Sequence, residues 1–595
     1  MKNLICLFLL FSSVSVIGQS NVRFEVVGIN PDYTGNVGIR GNVAPLSWDR
    51  SISMNPTEGG FVVDISFLEG NRELEFKFVL YTDDATPDWE NTPNRKLFLK
   101  SGSDKLSSLN TWNTEQVLDI SSFEPIPSNL LLEDYALIET LVLDIHPGTY
   151  RYNSEEEIRA ALNELKKEFA SNLSYQDAYL AVSEMMATVQ CDHTRAGFNN
   201  QTQIINSIIH SQPDKLPFTF KWVDYAMIVT FNASEDERLT RGSEVIAING
   251  VSTADIRNRM MPYISADGAT DGNRLYKMEI NGYDFRYNAF DVFYPLLYPI
   301  SGETVRLDLL YADGKEGSIE VETLTREDRF EKLADRYPGF PKTRDDMWNF
   351  TISNDEVAVL TLNSFGLMGW KAMTIDYKAF LADAFDQIHQ KGINHLVIDI
   401  RENTGGNDEM AEELYSYLLP ETKPFEREGR TRYKTFPESL KPYVKTWGDN
   451  PWYFNLKPKE EKTPEGYYVF KENFNGKKGK NKKERYEGKV YLLTSSANTS
   501  LAFYTAYRFR YENLGPLVGQ ETGGNLNDIN GGQILFLTLP NSQIEIDFPV
   551  MGGFSTTPQP NMGVIPDYPV FHSKETLLEG RDLEMEKVME LIAGE

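Results

Sequence analysis

Two short stretches constrain the fold of this chain most strongly. They are residues 397–406 (Val-Ile-Asp-Ile-Arg-Glu-Asn-Thr-Gly-Gly) and residues 490–500 (Val-Tyr-Leu-Leu-Thr-Ser-Ser-Ala-Asn-Thr-Ser). Each begins with a short apolar run, which is typical of a buried parallel strand, and continues into a loop of small polar residues. Each is followed by a helical pattern, for example Met410, Leu414 and Leu418 after the first stretch. Strand, loop and helix in this order predict an α/β core that binds its ligand at the carboxyl ends of the strands.

Ser500 ends the second stretch, at the point where the helical pattern begins. A serine at such a junction can point outward with backbone N–H groups beside it. Gly405 and Gly406 would let a substrate carbonyl approach main-chain donors closely, as an oxyanion hole requires. The pattern therefore predicts a serine nucleophile beside a glycine-rich anion site.

The first stretch contains the run Asp399-x-Arg401-x-Asn403-x-Gly405-Gly406. This run resembles the signature of the tail-specific (C-terminal-processing) and tricorn-like serine peptidases, and residues 491–500 resemble their nucleophile segment. Residues 519–524 (Gly-Gln-Glu-Thr-Gly-Gly) and 563–567 (Gly-Val-Ile-Pro-Asp) resemble two later motifs, in the family's order. The resemblance implies a multidomain α/β protein with a crotonase-like catalytic core and a PDZ-like insert. It also implies serine peptidase activity on a polypeptide substrate.

The resemblance further implies which residues act. Ser500 would attack, and the N–H groups of Gly405 or Gly406 and of Leu501 would hold the oxyanion. C-terminal-processing members use a Lys base in the Gly-rich element after the serine. An Asn, which cannot act as a base, stands at that position here, at residue 525.

Tricorn-like members use a His base instead. His193, within Thr-Val-Gln-Cys-Asp-His-Thr at residues 188–194, stands at the matching place. We therefore expect His193 to take the proton of Ser500.

The sequence does not define the third member of a triad. Tricorn-like members carry a Glu shortly before Gly-Val-x-Pro-Asp, but residues 557–561 read Thr-Pro-Gln-Pro-Asn. The orienting group could be absent, or it could be one of four residues: Gln559, Asp528, Glu521 or Asp567. Losing this member need not abolish catalysis, because the base and the oxyanion hole still contribute. An inactive peptide- or glucan-binding scaffold therefore stays an alternative to an enzyme.

The N-terminus has the pattern of a secretory signal peptide. Met-Lys-Asn is followed by an apolar run over residues 4–16 and then by Ile-Gly-Gln-Ser, which places cleavage after Gly18. No later stretch is long and apolar enough to span a bilayer. Cys191 would be the one cysteine left after cleavage, so no intrachain disulfide is expected. These features predict an exported protein that is periplasmic, on the outer surface or extracellular.

Composition excludes some partners. The formal net charge is −28, so nothing broad and basic is available to neutralise nucleic-acid phosphates. We identify no metal-ligand cluster and no nucleotide-binding loop in the sequence, and we expect no cofactor.

The chain is too long for one hydrophobic core and is expected to form several domains. We predict a signal peptide at 1–18, a β-sandwich at 19–125, a helical domain at 126–205, a PDZ-like domain at 206–325 and the peptidase core at 326–595. The PDZ-like assignment follows from Gly-Ser-Glu-Val-Ile-Ala-Ile-Asn-Gly at 242–250, which resembles the core turn of PDZ domains. At the other end, residues 577–592 predict one amphipathic closing helix.

The predicted β-sandwich resembles a starch-binding carbohydrate-binding module. The residues that carry this resemblance are Trp48, Lys77 and Trp89, which in that family help to form a sugar platform. Aromatic faces suit the apolar faces of sugar rings, and Lys can donate hydrogen bonds to hydroxyls. The resemblance implies weak binding of an α-glucan, and the alternative is a domain whose tryptophans only pack.

Overall fold

A computed structural model describes most of the chain. The residues that it describes are 20–30, 33–57, 59–68, 72–82, 86–92, 94–99, 106–112, 124–197, 212–283, 286, 288–353, 356–366, 375–421, 427–446, 451–470 and 484–594. The predicted signal peptide lies outside them. The chain divides into two compact units, one of residues 1–118 with 201–204 and one of residues 119–200 with 205–595.

The first unit is built from β-strands. They are β1 (Ser20–Val27), β2 (Asn36–Gly41), β3 (Ile52–Ser53), β4 (Asn55–Pro56), β5 (Gly60–Phe67), β6 (Arg72–Tyr81), β7 (Asp88–Trp89), β8 (Arg95–Leu99) and β9 (Leu106–Thr111). One sheet has the order β4-β5-β1-β9, and the other has the order β3-β2-β6-β7 with β8 also paired to β6. Alternate side chains of β1 and β6, such as Phe24 and Phe76, are buried in one core shared by both sheets.

The second unit contains all the described helices. They are α1 (Ser128–Thr140), α2 (Glu155–Phe169), α3 (Tyr175–Thr188), α4 (Thr253–Met260), α5 (Asp271–Met278), α6 (Ala289–Leu297), α7 (Arg326–Arg336), α8 (Tyr377–Lys391), α9 (Asp408–Leu418), α10 (Ser500–Tyr511), α11 (Lys574–Glu579) and α12 (Leu583–Ala593). Shorter π or 3-10 turns lie at Leu141–Ile145, Met261–Tyr263, Arg344–Met347, Lys441–Tyr443 and Trp452–Phe454.

The strands of the second unit belong to three sheets. They are β10 (Arg195–Gly197), β11 (Phe218–Val223), β12 (Ala226–Asn232), β13 (Glu244–Ile248), β14 (Val251–Ser252), β15 (Thr304–Leu310), β16 (Glu316–Glu322), β17 (Trp348–Ser353), β18 (Val357–Leu362), β19 (His395–Asp399), β20 (Arg427–Thr431), β21 (Val444–Lys445), β22 (Tyr468–Val469), β23 (Lys489–Thr494), β24 (Leu517–Gly519), β25 (Gly532–Thr538), β26 (Glu545–Ser555) and β27 (Tyr568–Pro569).

The central sheet contains the strands with which residues 397–406 and residues 490–500 begin. Its order is β17-β18-β19-β23-β24-β27, and all neighbours are parallel except β17 and β18. The two stretches supply β19 and β23, which pair directly, with Leu396 opposite Val490 and Ile398 opposite Leu492. Because the pairing is parallel, the loops that follow both strands leave the sheet at the same edge.

Both faces of this sheet are covered, as a parallel sheet requires. On one face, Leu381 of α8, Leu414 of α9 and Ala506 of α10 pack in a core with Leu396 and Leu492. A second, smaller core joins alternate strand residues to α12 on the other face, with these members: Val397, Tyr491, Leu493 and Val588. The continuous apolar runs of β19 and β23 follow from this burial on both sides.

A second sheet has the order β11-β12-β13-β15-β16, with β14 also paired to β13. Its β13–β14 hairpin turns at Asn249 and Gly250, which have φ values of 50° and 80°. A two-residue hairpin of this type needs positive φ at both positions, which Asn and Gly tolerate best. This turn is the end of the 242–250 motif.

The third sheet has the order β21-β25-β26-β20-β22, and β10 pairs with β26. β10 begins two residues after His193, and its Arg195 lies opposite Asp547 of β26. This pairing holds the turn between α3 and β10 against the third sheet.

The closing segment forms two helices where the sequence predicts one. α11 ends at Glu579 because Gly580 adopts a left-handed conformation with φ of 67°. Asp582 then caps α12, since its side chain accepts a hydrogen bond from the N–H of Met585. The apolar periodicity continues across this break, which is why periodicity alone did not reveal it.

Candidate active site

Ser500 is the first residue of α10 and has φ of 50°. A residue other than Gly, Asn or Asp in this left-handed region is uncommon and costs free energy. The side chain of Ser500 is half-buried rather than enclosed. The backbone is therefore held in a strained turn that leaves the hydroxyl accessible at the start of a helix.

Gly405 lies directly against Ser500. A Cβ atom at Gly405 would come within 2.7 Å of Ser500 Cβ, 3.1 Å of the Leu501 nitrogen and 3.2 Å of Ser500 Oγ. Gly405 and Gly406 also have φ values of 115° and 143°, which side chains rarely adopt. A Cβ at Gly406 would overlap the backbone of Phe365, so neither position has room for a side chain.

Hydrogen bonds join the two loops to each other. Asn498 donates from Nδ2 to the carbonyl oxygens of Ile400 (2.5 Å) and Asn403 (3.0 Å). Thr499 Oγ1 donates to the carbonyl of Thr404 over 3.2 Å. Because Asn498 and Thr499 immediately precede Ser500, these bonds set the position of Ser500 relative to the glycine pair.

The other polar residues of the first motif hold the loop in shape. Arg401 pairs with Asp399 at 2.7 Å and also contacts Asp582 and Glu584 of the C-terminal segment. Asn403 is fully buried, and its Oδ1 accepts the N–H of Gly405 over 2.8 Å. These residues are therefore structural supports of the site.

The hydrogen bond between Gly405 and Asn403 limits which N–H groups are available as the predicted oxyanion donors. The N–H of Gly405 is already donated, whereas the N–H groups of Gly406 and Leu501 have no acceptor among the described residues. The N–H of Leu501 belongs to the first turn of α10, where helix geometry leaves donors without partners. Among the described residues, Gly406 and Leu501 are thus free N–H donors near Ser500.

His193 lies in the tight turn between α3 and β10, and its ring packs on Gly531. A Cβ at Gly531 would be 3.1 Å from His193 Cε1 and 3.2 Å from Nε2, so a side chain there would displace the ring. His193 Nδ1 is buried and has no hydrogen-bond partner. Burial lowers the pKa of His193, and Asp192 opposes this effect. The ring is therefore neutral over a wider pH range than a free histidine.

Two carboxylates lie beside His193. A ring nitrogen of His193 and one carboxylate oxygen each of Asp192 and Asp267 are within 4.8 Å of one another. Asp267 Oδ1 accepts the N–H of Asp192 over 3.0 Å, and Lys277 pairs with the Asp192 carboxylate. A cation would need this kind of spacing, but the Lys277 ammonium already neutralises Asp192, so we interpret the cluster as an acid–base group.

Hydrogen bonds join the segment that contains Asp267 to the loops around Ser500. Thr270 donates to the carbonyl of Gly523 over 2.9 Å, and Asn273 donates to the carbonyl of Ser496 over 2.8 Å. A Cβ at Gly523 would in turn lie 2.8 Å from Thr499 Cγ2. His193 and Ser500 thus belong to one connected group of loops, although no hydrogen bond joins their side chains.

None of the four acids or amides considered from the sequence bonds to His193. Glu521 accepts the N–H of Gly563, and Asp567 accepts the N–H of Leu517 and pairs with Arg510. The other two candidates also bond to groups other than His193: Asp528 accepts from Tyr504 and Ile529, and Gln559 donates to Thr557. Sequence reasoning missed Asp267, which lies in a stretch without a motif. Asp192 directly precedes His193 in the sequence, and this adjacency could have identified Asp192 as a neighbour of the histidine.

Asn525, which the sequence resemblance aligns with the family's Lys, is fully buried. Its Nδ2 donates to the carbonyl of Asp267 over 3.2 Å and to Asn561 Oδ1 over 2.7 Å. The residue therefore anchors the Asp267 segment and does not reach Ser500 as a base would.

The three residues of the predicted sugar platform lie at one place in the first unit. The ring centroids of Trp48 and Trp89 are 6.1 Å apart with an interplanar angle of 47°. Trp89 is 38% exposed, and Trp48 is half-buried. Lys77 Nζ donates to the carbonyl of Glu90 over 3.3 Å, next to Trp89.

Comparison with known proteins identifies the catalytic core. The model of the protein family "Peptidase family S41" matches residues 356–549, which include Ser500 and the glycine pair. These residues are similar to the S41 peptidases. The protein is a serine-type peptidase, and therefore a hydrolase that acts on polypeptides. The match does not favour the alternative of an inactive scaffold.

Solved structures support this assignment at the level of the fold. Mature CPAF complexed with lactacystin matches the peptidase with a TM-score of 0.55 and 14% sequence identity, over 78% of this chain and 98% of that chain. Mature CPAF alone gives the same TM-score and identity over 78% and 97%. No curated protein sequence matches the chain. No helix in the described part of the peptidase is long and apolar enough to cross a membrane.

Proposed function

We propose that this protein is an exported serine peptidase in which Ser500 is the nucleophile and His193 is the general base. The observation that carries this proposal is the contact between Ser500 and Gly405, which brings the two loops of the sheet edge together around one accessible hydroxyl. A strained, solvent-accessible serine at a helix N-terminus beside unpaired backbone donors suits nucleophilic attack on a carbonyl.

The proposed reaction follows the logic of serine peptidases. Ser500 Oγ attacks the carbonyl carbon of the peptide bond while His193 takes the hydroxyl proton, since a serine hydroxyl is a poor nucleophile without a base. The negative charge that develops on the carbonyl oxygen is stabilised by the N–H groups of Gly406 and Leu501. His193 then returns the proton to the leaving amine, and water hydrolyses the acyl-enzyme by the same steps.

Among the described residues, no hydrogen bond joins the side chains of His193 and Ser500. Catalytic hydrogen bonds are often long in the absence of substrate and tighten when it binds. Burial of His193 keeps the imidazole neutral, as a base must be, and the free Nδ1 leaves room for a partner that fixes its orientation.

A direct test compares hydrolysis of an unfolded protein substrate by wild type and Ser500→Ala. We expect the variant to lose activity by roughly 10³-fold or more. Ser416→Ala, in which a serine of α9 remote from the site is replaced, is the matched control and should retain full activity. Equal rates for wild type and Ser500→Ala would remove Ser500 from the mechanism.

Export is proposed from the N-terminal sequence pattern. It predicts that the mature chain begins after Gly18 and is found outside the cytoplasm. Sequencing the N-terminus of protein recovered from cell fractions tests this proposal, and an intact Met1 on cytoplasmic protein would contradict it.

A second, independent function is proposed for the first unit: binding of an α-glucan by Trp48 and Trp89. It is supported by the proximity of the two indoles and by the exposure of Trp89 in a strongly acidic protein. Aromatic faces of this kind stack on sugar rings, and Lys77 lies close enough to Trp89 to orient a hydroxyl. Such a module would tether the peptidase to polysaccharide without a role in hydrolysis.

A further inference from the structure

Two buried polar atoms in the His193 cluster lack partners. They are His193 Nδ1 and Asp267 Oδ2. Asp267 is 1% exposed, so its free oxygen is not hydrated from the surface. An unpaired buried acceptor and an unpaired ring nitrogen each cost free energy, and each could satisfy the other. One ring nitrogen of His193 and one carboxylate oxygen of Asp267 lie within 4.8 Å of each other.

Asp192 is less suited to pair with His193, although it is adjacent in sequence. Its carboxylate is held by the Lys277 ammonium. Burial opposes ionisation, but Lys277 outweighs it and lowers the pKa of Asp192 to about 2. Lys277 also donates to the carbonyl of Ser265 over 2.6 Å, which fixes the ion pair in place. Asp192 is therefore already neutralised, whereas Asp267 is not.

The position of Asp267 is set by its backbone and by one carboxylate oxygen. Oδ1 accepts the N–H of Asp192, and the carbonyl oxygen accepts from Asn525 Nδ2 over 3.2 Å. The Thr270 hydroxyl lies 2.9 Å from this carbonyl and 2.9 Å from that of Gly523, so its one proton is shared between them. Asn525 is the residue that replaces the family's Lys. The substitution that removes a lysine base therefore also anchors the segment that bears the free carboxylate oxygen.

We propose that Asp267 is the positioning residue that completes the catalytic group, by accepting a hydrogen bond from the Nδ1–H of His193. This inference rests on the proposed function of Ser500 and His193. The bond would hold the tautomer in which Nε2 is unprotonated, so that Nε2 takes the proton of Ser500 and gives it to the leaving amine. The carboxylate of Asp267 stabilises the imidazolium that forms in between and keeps its own charge.

The charges around the pair determine the expected pH dependence. The groups that face His193 or Asp267 are Asp192, Lys277, Arg195, Arg151, Tyr152 and Cys191. Burial and the Asp192 carboxylate raise the pKa of Asp267 to about 7. Activity should therefore rise as pH increases through the range in which Asp267 ionises. Without this carboxylate, only His193 titrates, with a pKa that burial lowers, so the rise should move to lower pH.

The test measures the rate at which a fluorophosphonate probe labels Ser500 from about pH 5 to 9, the range in which histidine titrates. The full-length proteins compared are wild type, Asp267→Asn and Asp267→Glu, in buffer with EDTA. Asn at 267 keeps an oxygen to accept the Asp192 N–H but offers His193 no carboxylate. Asp134→Asn is the matched control, because Asp134 is equally buried and accepts only from Asn541 and Ser542.

We expect Asp267→Asn to slow labelling by about 10²–10⁴-fold at the plateau and to move the rise in rate to lower pH. Asp267→Glu should recover part of the rate, and Asp134→Asn should match wild type while folded. Labelling of Asp267→Asn within twofold of wild type at every pH would overturn the proposal. So would a slower rate whose pH dependence is unmoved, because that is the signature of a merely structural role. Failure of wild type to react would instead refute the proposed function itself.

Discussion

At the scale of single residues, Ser500, the proposed nucleophile, has a strained backbone conformation. Most residues avoid a φ of 50° because the Cβ atom is crowded there, and this cost persists only where the surroundings enforce it. Asn498 and Thr499 supply that enforcement through their bonds to the glycine loop. The strained turn holds the half-buried side chain of Ser500 at the junction between β23 and α10.

This backbone strain predicts that the Gly and Ala variants at residue 500 differ in stability in the opposite order from those at an ordinary helix position. Ser500→Gly should be more stable than Ser500→Ala by about 1 kcal/mol, because Gly adopts positive φ without a steric cost, and both variants should be inactive. Ser416, in the interior of α9, is the matched control. There Gly should be less stable than Ala by about 1 kcal/mol. Urea denaturation of the four variants measures these differences, and the same order at both positions would contradict the account.

At the scale of elements, the site depends on the close approach of two loops. Gly405 lies so close to Ser500 that a Cβ atom at residue 405 would clash with it. The φ of 115° at Gly405 independently disfavours any residue that has a Cβ atom. The loop can therefore position the proposed oxyanion donors only while residue 405 remains glycine.

Gly405→Ala is predicted to abolish hydrolysis and to lower the melting temperature. Gly302→Ala is the matched control, since Gly302 has φ of 116° but no atom within 4 Å of an added Cβ. Both variants pay the backbone strain of about 1–3 kcal/mol, but only the Ala at 405 also clashes with Ser500. Hydrolysis and thermal denaturation should therefore separate the two. Full activity of Gly405→Ala would show that the loops are less closely packed than described.

A buried ion pair holds α6 and α7 together. Arg329 donates to both carboxylate oxygens of Asp291, at 2.9 and 2.5 Å, and both side chains are almost fully buried. Burial opposes ionisation of Asp291, but Arg329 outweighs it and lowers its pKa. Because the pKa is lowered on folding, the pair stabilises the protein above the unfolded pKa of Asp. That contribution is lost as the pH falls through the folded value.

Arg329→Met is predicted to destabilise the second unit by about 3–5 kcal/mol, because it leaves Asp291 charged and unpaired in the interior. The destabilisation should shrink at low pH, where Asp291 takes up a proton. Lys315→Met, which removes the exposed partner of Asp313, is the control and should cause no measurable change. Denaturant unfolding at neutral and acidic pH provides the measurement, and equal losses for both variants would contradict this interpretation.

The parts of the site that could be predicted are those whose residues lie close together in the sequence. The loops at Gly405 and Ser500 follow from local motifs, because strand, turn and helix signals all lie within a few residues of each other. The proposed role of Asp267 could not be foreseen, since folding brings its carboxylate near His193 from a segment about 75 residues away in the chain. The break at Gly580 was missed for a different reason: apolar spacing persists across it while the backbone reverses locally.

At the scale of the whole molecule, the protein combines a peptidase unit with a β-stranded unit that has its own core. In that unit Trp89 is 38% exposed and lies beside the half-buried Trp48, which gives the proposed binding surface two neighbouring aromatic rings. The proposed division of labour is hydrolysis in one unit and attachment to polysaccharide in the other.

The full-length protein is predicted to be retained on insoluble starch. Trp48→Ala and Trp89→Ala should each reduce retention severalfold, since stacking on each ring contributes about 1 kcal/mol or more, and neither should change peptide hydrolysis. Tyr225→Ala, which removes an aromatic ring that is 65% exposed in the second unit, is the control. A wild-type protein that passes through the starch would leave the tryptophans with a packing role only.

The central claim is that Ser500 acts as a nucleophile activated by His193. The most direct measurement treats wild type, Ser500→Ala and His193→Gln with a fluorophosphonate probe and maps the adduct by mass spectrometry. The account predicts an adduct on Ser500 in wild type, none at this position in Ser500→Ala, and labelling slowed by about 10²-fold or more in His193→Gln. An unmodified Ser500 in the folded wild-type protein, or equal labelling rates in wild type and His193→Gln, would contradict it.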